Sequence, residues 1–331
     1  MHGRKRGQID NDTRAKMAKK AKMFQELSLI IAKSRIKGDR SQKALDLTSK
    51  MLSMNPDCYS WWNYRREILL DMYGGADQLG LMMEAPSSEE AKVRTPGKES
   101  TAAAVRDTEL QLTVDGIMKN PKSYPAWSHR QWIIQRFECD YEHEVKLCSE
   151  MLNLDQRNFH CWNYRRWVSD NSKRPLSTEL EYCYEKIEQN FSNYSAFHHR
   201  SVYFRDLHGK KTCSALVPLL RVEFAIVENA AFTDPYDQSA WWYHRFLINH
   251  LERRDGMSEE DCSAAKEVLS EQRGLYHSLT EHEPECKWTL DALLHIMYMQ
   301  ERWGESQEMQ AKESLLTKLR EVDPLRAGRF T

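Results

Sequence analysis

One short pattern recurs along the 331-residue chain and constrains its fold more than any other feature: a turn, an aromatic residue, then an aromatic or His followed by Arg. Its copies are NPDCYSWWNYRR (55–66), NPKSYPAWSHRQW (120–132), DQRNFHCWNYRRW (155–167), NFSNYSAFHHR (190–200) and DPYDQSAWWYHR (234–245). Aligned on the arginines at 65, 130, 165, 200 and 245, successive copies lie 65, 35, 35 and 45 residues apart. The unit is therefore 35 residues with two insertions. A degenerate sixth copy, EPECKWTLD (283–291), keeps a Trp and sets Asp291 where the Arg belongs; Asp323-Pro-Leu-Arg326 opens a seventh.

A 35-residue period fits a helical hairpin, because two helices of ~12 residues and their turns fill it. Between the motifs run amphipathic stretches. In Glu142 to Leu154, Val145, Cys148 and Leu152 share one face, with Leu147, Met151 and Leu154 beside them. Ser123, Asn158 and Asn193 stand four residues before the motif aromatic, where an N-cap for the second helix belongs. Pro56, Pro121 and Pro235 mark the turns. The predicted fold is all-α, a superhelix or solenoid of helical hairpins. Residues 1–20, with seven Lys or Arg against two Asp, form a basic N-terminal arm, and 21–331 form a single helical-repeat domain. Residues 74–100 carry Gly-Gly, Ala-Pro-Ser-Ser and Thr-Pro-Gly-Lys and read as a flexible insertion; the smaller insertion, His208 to Lys211, reads as a lengthened turn.

Composition narrows the function. Forty-eight basic against 49 acidic residues leave a formal charge of −1, which gives no support for nucleic-acid or membrane-surface binding. Ten Trp, 14 Tyr and 10 Phe against 13 Gly suit packed helices. Eight cysteines without a C-x-x-C pair read as reduced packing thiols, with no metal held by this chain. The N-terminus lacks an apolar signal core and no run approaches the ~20 residues of a membrane span, so the expected location is cytoplasmic.

The repeat residues themselves read as structural. Trp62 and Arg65, Trp127 and Arg130, and Trp162 and Arg165 are three apart and share a helix face, and Arg200, Trp242 and Arg245 continue the series. Such an Arg suits a partly buried clamp on a carboxylate or on helix-end carbonyls. The turns differ from copy to copy and are the place for function. There, helix N-termini with unused N–H groups suit a diphosphate; one turn carries Lys122, the next Arg157 followed by Asn158, Phe159 and His160. No nucleophile with a base at motif spacing, no phosphate-binding Gly-rich loop and no H-E-x-x-H is present, so a partner is expected to supply the chemistry.

At this repeat the chain resembles the α subunits of the protein prenyltransferases, clearly from Asn55 to Arg245 and less clearly to Thr331. The resemblance implies a crescent of hairpins around a β subunit that holds the catalytic zinc and most of the lipid pocket, with no activity from this chain alone. The opening Met1-His2-Gly3-Arg4, the block from Ala231 to Arg245 and the end at Asp323 to Arg326 with Arg329-Phe330 are most similar to the Rab geranylgeranyltransferase (type II) subunits, in their compact form. The implied reaction moves geranylgeranyl from geranylgeranyl diphosphate to C-terminal cysteines of Rab GTPases presented by a Rab escort protein.

Within that resemblance Lys122 matches a lysine that contacts the prenyl diphosphate and Tyr124 a neighbouring tyrosine, with Asn158 and His160 opening the next turn along the same edge. His2 matches a residue able to visit the partner's zinc as a removable ligand. The long insertion, Phe197 in place of Trp and Asp291 in place of Arg depart from the pattern. Two alternatives share the fold: the α subunit common to farnesyltransferase and type I geranylgeranyltransferase, and a scaffold without catalysis.

Overall fold

Each repeat is built outward from its turn. In the computed structural model, which describes residues 10–73, 96–137, 139–252, 255–304 and 309–329 (96–101 by backbone alone), the Asn or Asp opening each motif folds back on the chain. The side-chain oxygens of Asn55, Asn120, Asp155, Asn190 and Asp234 accept the N–H two residues on, at 3.0–3.2 Å. This is an Asx turn, and it aims the chain into the second helix. The motif Trp then closes the turn. The indole N–H groups of Trp62, Trp127, Trp162 and Trp241 each donate to the carbonyl six residues earlier, at 2.8–2.9 Å.

The helices follow in pairs, as the period requires. They are α1 (Asn11–Ile36), α2 (Gln42–Met54), α3 (Tyr59–Tyr73), α4 (Pro96–Lys119), α5 (Tyr124–Ile134), α6 (Tyr141–Leu154) and α7 (Phe159–Ser172). Then come α8 (Leu176–Gln189), α9 (Tyr194–His208), α10 (Cys213–Thr233), α11 (Gln238–Ile248), α12 (Glu259–His282), α13 (Lys287–Arg302) and α14 (Met309–Val322). Short 3₁₀ turns occupy Asn249–Leu251 and Pro324–Arg329. No strand occurs among the described residues, and the fold is an all-α solenoid of helical hairpins.

The chain divides into two compact units, Met1–Cys148 with Asn163–Val168, and Ser149–Trp162 with Ser169–Thr331. In the first, α2 packs on α3 and α4 on α5, and the second helices α3 and α5 lie side by side. Its core gathers Ile31, Ala44, Leu45, Met51, Tyr64, Ile68 and Leu69. Gly116 lets α4 approach the first turn: a Cβ there would stand 3.2 Å from that of Pro56. In the second, α8 packs on α9, α10 on α11 and α12 on α13, with α9, α11 and α13 again adjacent. Leu290, Leu294 and Leu319 bury the last hairpin.

Several sequence expectations change. In the fifth copy the repeat Trp is Trp241, 5% exposed and tied to its turn, whereas Trp242 is 37% exposed. The register therefore shifts by one, and His244 rather than Arg245 takes the arginine's place; the aromatic doublet hid the shift. In the sixth copy helix α13 starts at Lys287, which puts Leu290 at the Trp position and Leu293 at the Arg position. Trp288 and Asp291 are not the repeat residues. The second insertion lengthens a helix more than a turn: α10, capped by Thr212, runs 21 residues. Ser123 occupies the cap position without a cap hydrogen bond, because its hydroxyl donates to the Pro56 carbonyl at 3.1 Å. Residues 11–20, which charge alone groups with the arm, are the opening turns of α1. Residues 74–95 of the long insertion lie outside the described residues, and 96–100 begin α4.

Candidate functional site

The recurring arginines are spent inside the fold. Arg65, 1% exposed, donates through Nε and Nη2 to both oxygens of Glu109 at 2.7 Å, and through Nη1 to the Leu45 carbonyl and the Thr48 and Ser49 hydroxyls. Arg130 grips Glu144 at 2.7 and 2.6 Å and the Leu110 carbonyl at 3.1 Å. Arg200 grips Glu223 at 2.6 and 2.7 Å and the Leu180 carbonyl at 2.6 Å. A residue from the following second helix completes each carboxylate: His129 for Glu109, Tyr164 for Glu144 and Tyr243 for Glu223. A buried charge this well paired and hydrogen-bonded holds neighbouring hairpins in one register.

Protonation follows from these contacts. Burial raises the Glu109 carboxyl, but the His129 hydrogen bond and the Arg65 charge and hydrogen bonds outweigh it, and the pKa falls to about 2. Burial pushes His129 down to about 4 against the pull of Glu109, so it is neutral near pH 7. Arg66 donates to its Nδ1, which leaves the proton on Nε2, the atom facing Glu109 at 3.0 Å. These carboxylates were not anticipated from the sequence. The signal was present: Glu109, Glu144 and Glu223 each stand fifteen residues before the first residue of a second helix.

With the repeat residues committed, the turns remain. Lys122 is exposed, its backbone N–H held by Asn120, whose amide in turn donates to Asp57 at 2.7 Å. Its ammonium has no ion pair or hydrogen bond among the described residues. Tyr124 begins α5 and is 58% exposed. Because Ser123 makes no cap hydrogen bond, the positive end of α5 beside Lys122 carries no side-chain cap. The next turn is built differently. Asn158 is buried and caps α7 by accepting from the His160 and Cys161 N–H groups at 3.1 and 3.3 Å. His160 is also buried, its ring 3.9 Å from that of Phe159. Arg157 in that turn donates to the Ser192 carbonyl at 2.7 Å. His2 lies outside the described residues. Among those residues no group of three His, Cys, Asp or Glu side chains is arranged to hold a metal ion. Nor is any helix long and apolar enough to cross a membrane.

The protein prenyltransferase alpha subunit repeat matches the chain at 41–72, 106–137, 141–172, 176–207 and 220–251. Residues 65, 130, 165, 200 and 244 stand at the same place in these segments, the register the structure gives. The chain is 33% identical over 307 residues to the geranylgeranyl transferase type-2 subunit alpha of Dictyostelium discoideum, covering 92% of this chain and 86% of that protein. The chain belongs to the protein prenyltransferase α-subunit family. A rat relative, also a geranylgeranyl transferase type-2 subunit alpha, is 35% identical over 279 residues. That match covers 82% of this chain and 46% of the rat protein, so the chain spans about half the length of such prenyltransferase α subunits. The fold is similar to that of Candida albicans protein geranylgeranyltransferase-I complexed with GGPP, with a TM-score of 0.65 at 19% identity over 93% of this chain and 88% of that one.

Proposed function

We propose that the chain is the α subunit of a type-2 geranylgeranyltransferase, working with a β subunit in the cytoplasm. The similarity to type-2 α subunits along most of the chain carries this reading. The reaction joins a cysteine sulfur of a Rab GTPase, presented by an escort protein, to C1 of geranylgeranyl diphosphate; the C1–O bond breaks and diphosphate leaves. Zinc held by the β subunit would favour the thiolate. In this chain Lys122, exposed beside the uncapped start of α5, neutralises charge growing on the leaving diphosphate, and Tyr124 borders the same group. Asn158 and His160 contribute by fixing the turn before α7. His2 is proposed as a removable ligand to the β-subunit zinc.

The test is transfer of labelled geranylgeranyl to a Rab protein with escort protein present, using this chain alone, a type-2 β subunit alone, and both co-expressed. Transfer only by the pair is the expected result, with Lys122→Ala lowering kcat about 10- to 100-fold while the heterodimer survives. Modification of C-a-a-X peptides alone would assign the chain to the shared type I subunit. Absence of both binding and transfer would leave a scaffold.

A further inference from the structure

The turn that carries Lys122 takes its setting from the turn of the preceding copy. Asp57 and Lys122 occupy the same place in their repeats, eight residues before Arg65 and Arg130. The Asn55 side chain accepts the Asp57 N–H at 3.0 Å and so fixes where that aspartate stands. The Asp57 carboxylate then accepts from the Asn120 amide at 2.7 Å, and the Asn120 oxygen accepts the Lys122 N–H at 3.2 Å. Two Asx turns are thereby joined in series, and the last member is the lysine.

The identity of the acceptor decides what this relay can do. An asparagine side chain can turn over and exchange its oxygen for its nitrogen. An ionised carboxylate only accepts, so Asp57 draws the Asn120 nitrogen to itself and leaves the oxygen facing the Lys122 N–H. In the second unit Asn190, at the same repeat place as Asn120, donates instead to the Gln156 side chain at 3.0 Å. Glutamine both donates and accepts, so that contact permits either orientation. Packing does not depend on the Asp57 bond. Arg65 with Glu109, and the Ser123 hydroxyl on the Pro56 carbonyl at 3.1 Å, join these hairpins from inside. Asp57 and Lys122 are exposed, where a single polar contact adds little stability. We propose that Asp57 is a positioning residue for the transfer reaction, acting through Asn120 to hold the backbone of Lys122, a role that rests on Lys122 serving the leaving diphosphate.

The experiment measures geranylgeranyl transfer by the full chain co-expressed with a type-2 β subunit, with a Rab protein and escort protein as substrate. Asp57→Ala, Asp57→Asn, Lys122→Ala and the double variant of Asp57→Ala with Lys122→Ala are compared, with heterodimer yield and Tm checking the fold. Asp57→Ala is expected to lower kcat about 3- to 10-fold, with KM for the Rab protein and Tm near the parent values. Asp57→Asn, whose oxygen can still accept from Asn120, should recover most of that loss. The double variant should be no slower than Lys122→Ala alone, because Asp57 then has nothing left to place. Parent-like kcat in Asp57→Ala, or losses that multiply in the double variant, would overturn the positioning role and leave the Lys122 reading standing. Equal losses in Asp57→Asn and Asp57→Ala would overturn the hydrogen-bond relay and assign the effect to charge. The parent rate in Lys122→Ala would overturn the diphosphate reading and the positioning role together.

Discussion

Two successive junctions in the second unit use the same positions with opposite chemistry. Between the fourth and fifth copies, Arg200 and Glu223 form a buried ion pair completed by Tyr243. Between the fifth and sixth, His244 takes the arginine's place and Gln272, fifteen residues before Lys287, takes the glutamate's. Burial holds His244 down to about 3, with the nearby His295 adding to the shift, so it is neutral near pH 7. Gln272 donates to Glu228 at 3.1 Å. The sixth copy continues the trend with Ala292 and Leu293 where Tyr and Arg would stand. Both charges have gone together. A buried guanidinium without its carboxylate, or the reverse, would be the expensive intermediate, and the paired change avoids it.

Breaking one member of the ion pair should therefore have the largest effect. Glu223→Ala strands Arg200 and Tyr243 and is expected to cost about 3–5 kcal/mol in urea unfolding; a cost below about 1 kcal/mol would mean that the pair is not what holds this junction. Acid is the next lever. The unfolded chain protonates histidine near its ordinary 6.5, whereas folded His129 resists to about 4. Its contribution is therefore intact above about pH 6.5 and declines as pH falls towards 4, by about 1.4 kcal/mol per pH unit. Glu109 adds a loss in the same direction between its ordinary 4.5 and about 2. His129→Tyr, which copies the residue used at Tyr164 and Tyr243, should reduce the slope of the stability curve between pH 6.5 and 4, leaving the part due to His244 and His295 and the lower limb in place.

The neutral junction can be recharged. His244→Arg alone buries an unpaired cation and should destabilise; adding Gln272→Glu should recover about 1–3 kcal/mol of coupling in a double-mutant cycle. Additive effects would show that the fifth junction no longer has the geometry of the fourth. Smallest of all, Trp62→Phe leaves the Pro56 carbonyl without its indole donor and should cost about 1–2 kcal/mol, read from the shift of the urea midpoint.

The period, the hairpin architecture and the structural role of Trp62, Arg65 and their counterparts were legible because each motif carries its own turn, cap and aromatic residue. The fifth and sixth registers were not. Trp241-Trp242 offers two aromatics for one slot, and a buried Leu290 is invisible beside a half-buried Trp288. The carboxylate partners were missed because they belong to the next hairpin, and insertions vary their distance: Glu144 follows Arg130 by 14 residues, Glu109 follows Arg65 by 44. At the candidate site the sequence singled out Lys122, whereas the difference between an uncapped α5 start and a capped α7 start depends on where the Ser123 hydroxyl turns.

The tie between each motif Trp and its own turn has a practical corollary. Since the indole N–H of Trp62, Trp127, Trp162 or Trp241 is held six residues away, its resonance and solvent exchange report the opening of that hairpin's own turn. Four native probes thus stand at known places along the chain. They allow the order in which successive hairpins loosen to be followed without adding a label.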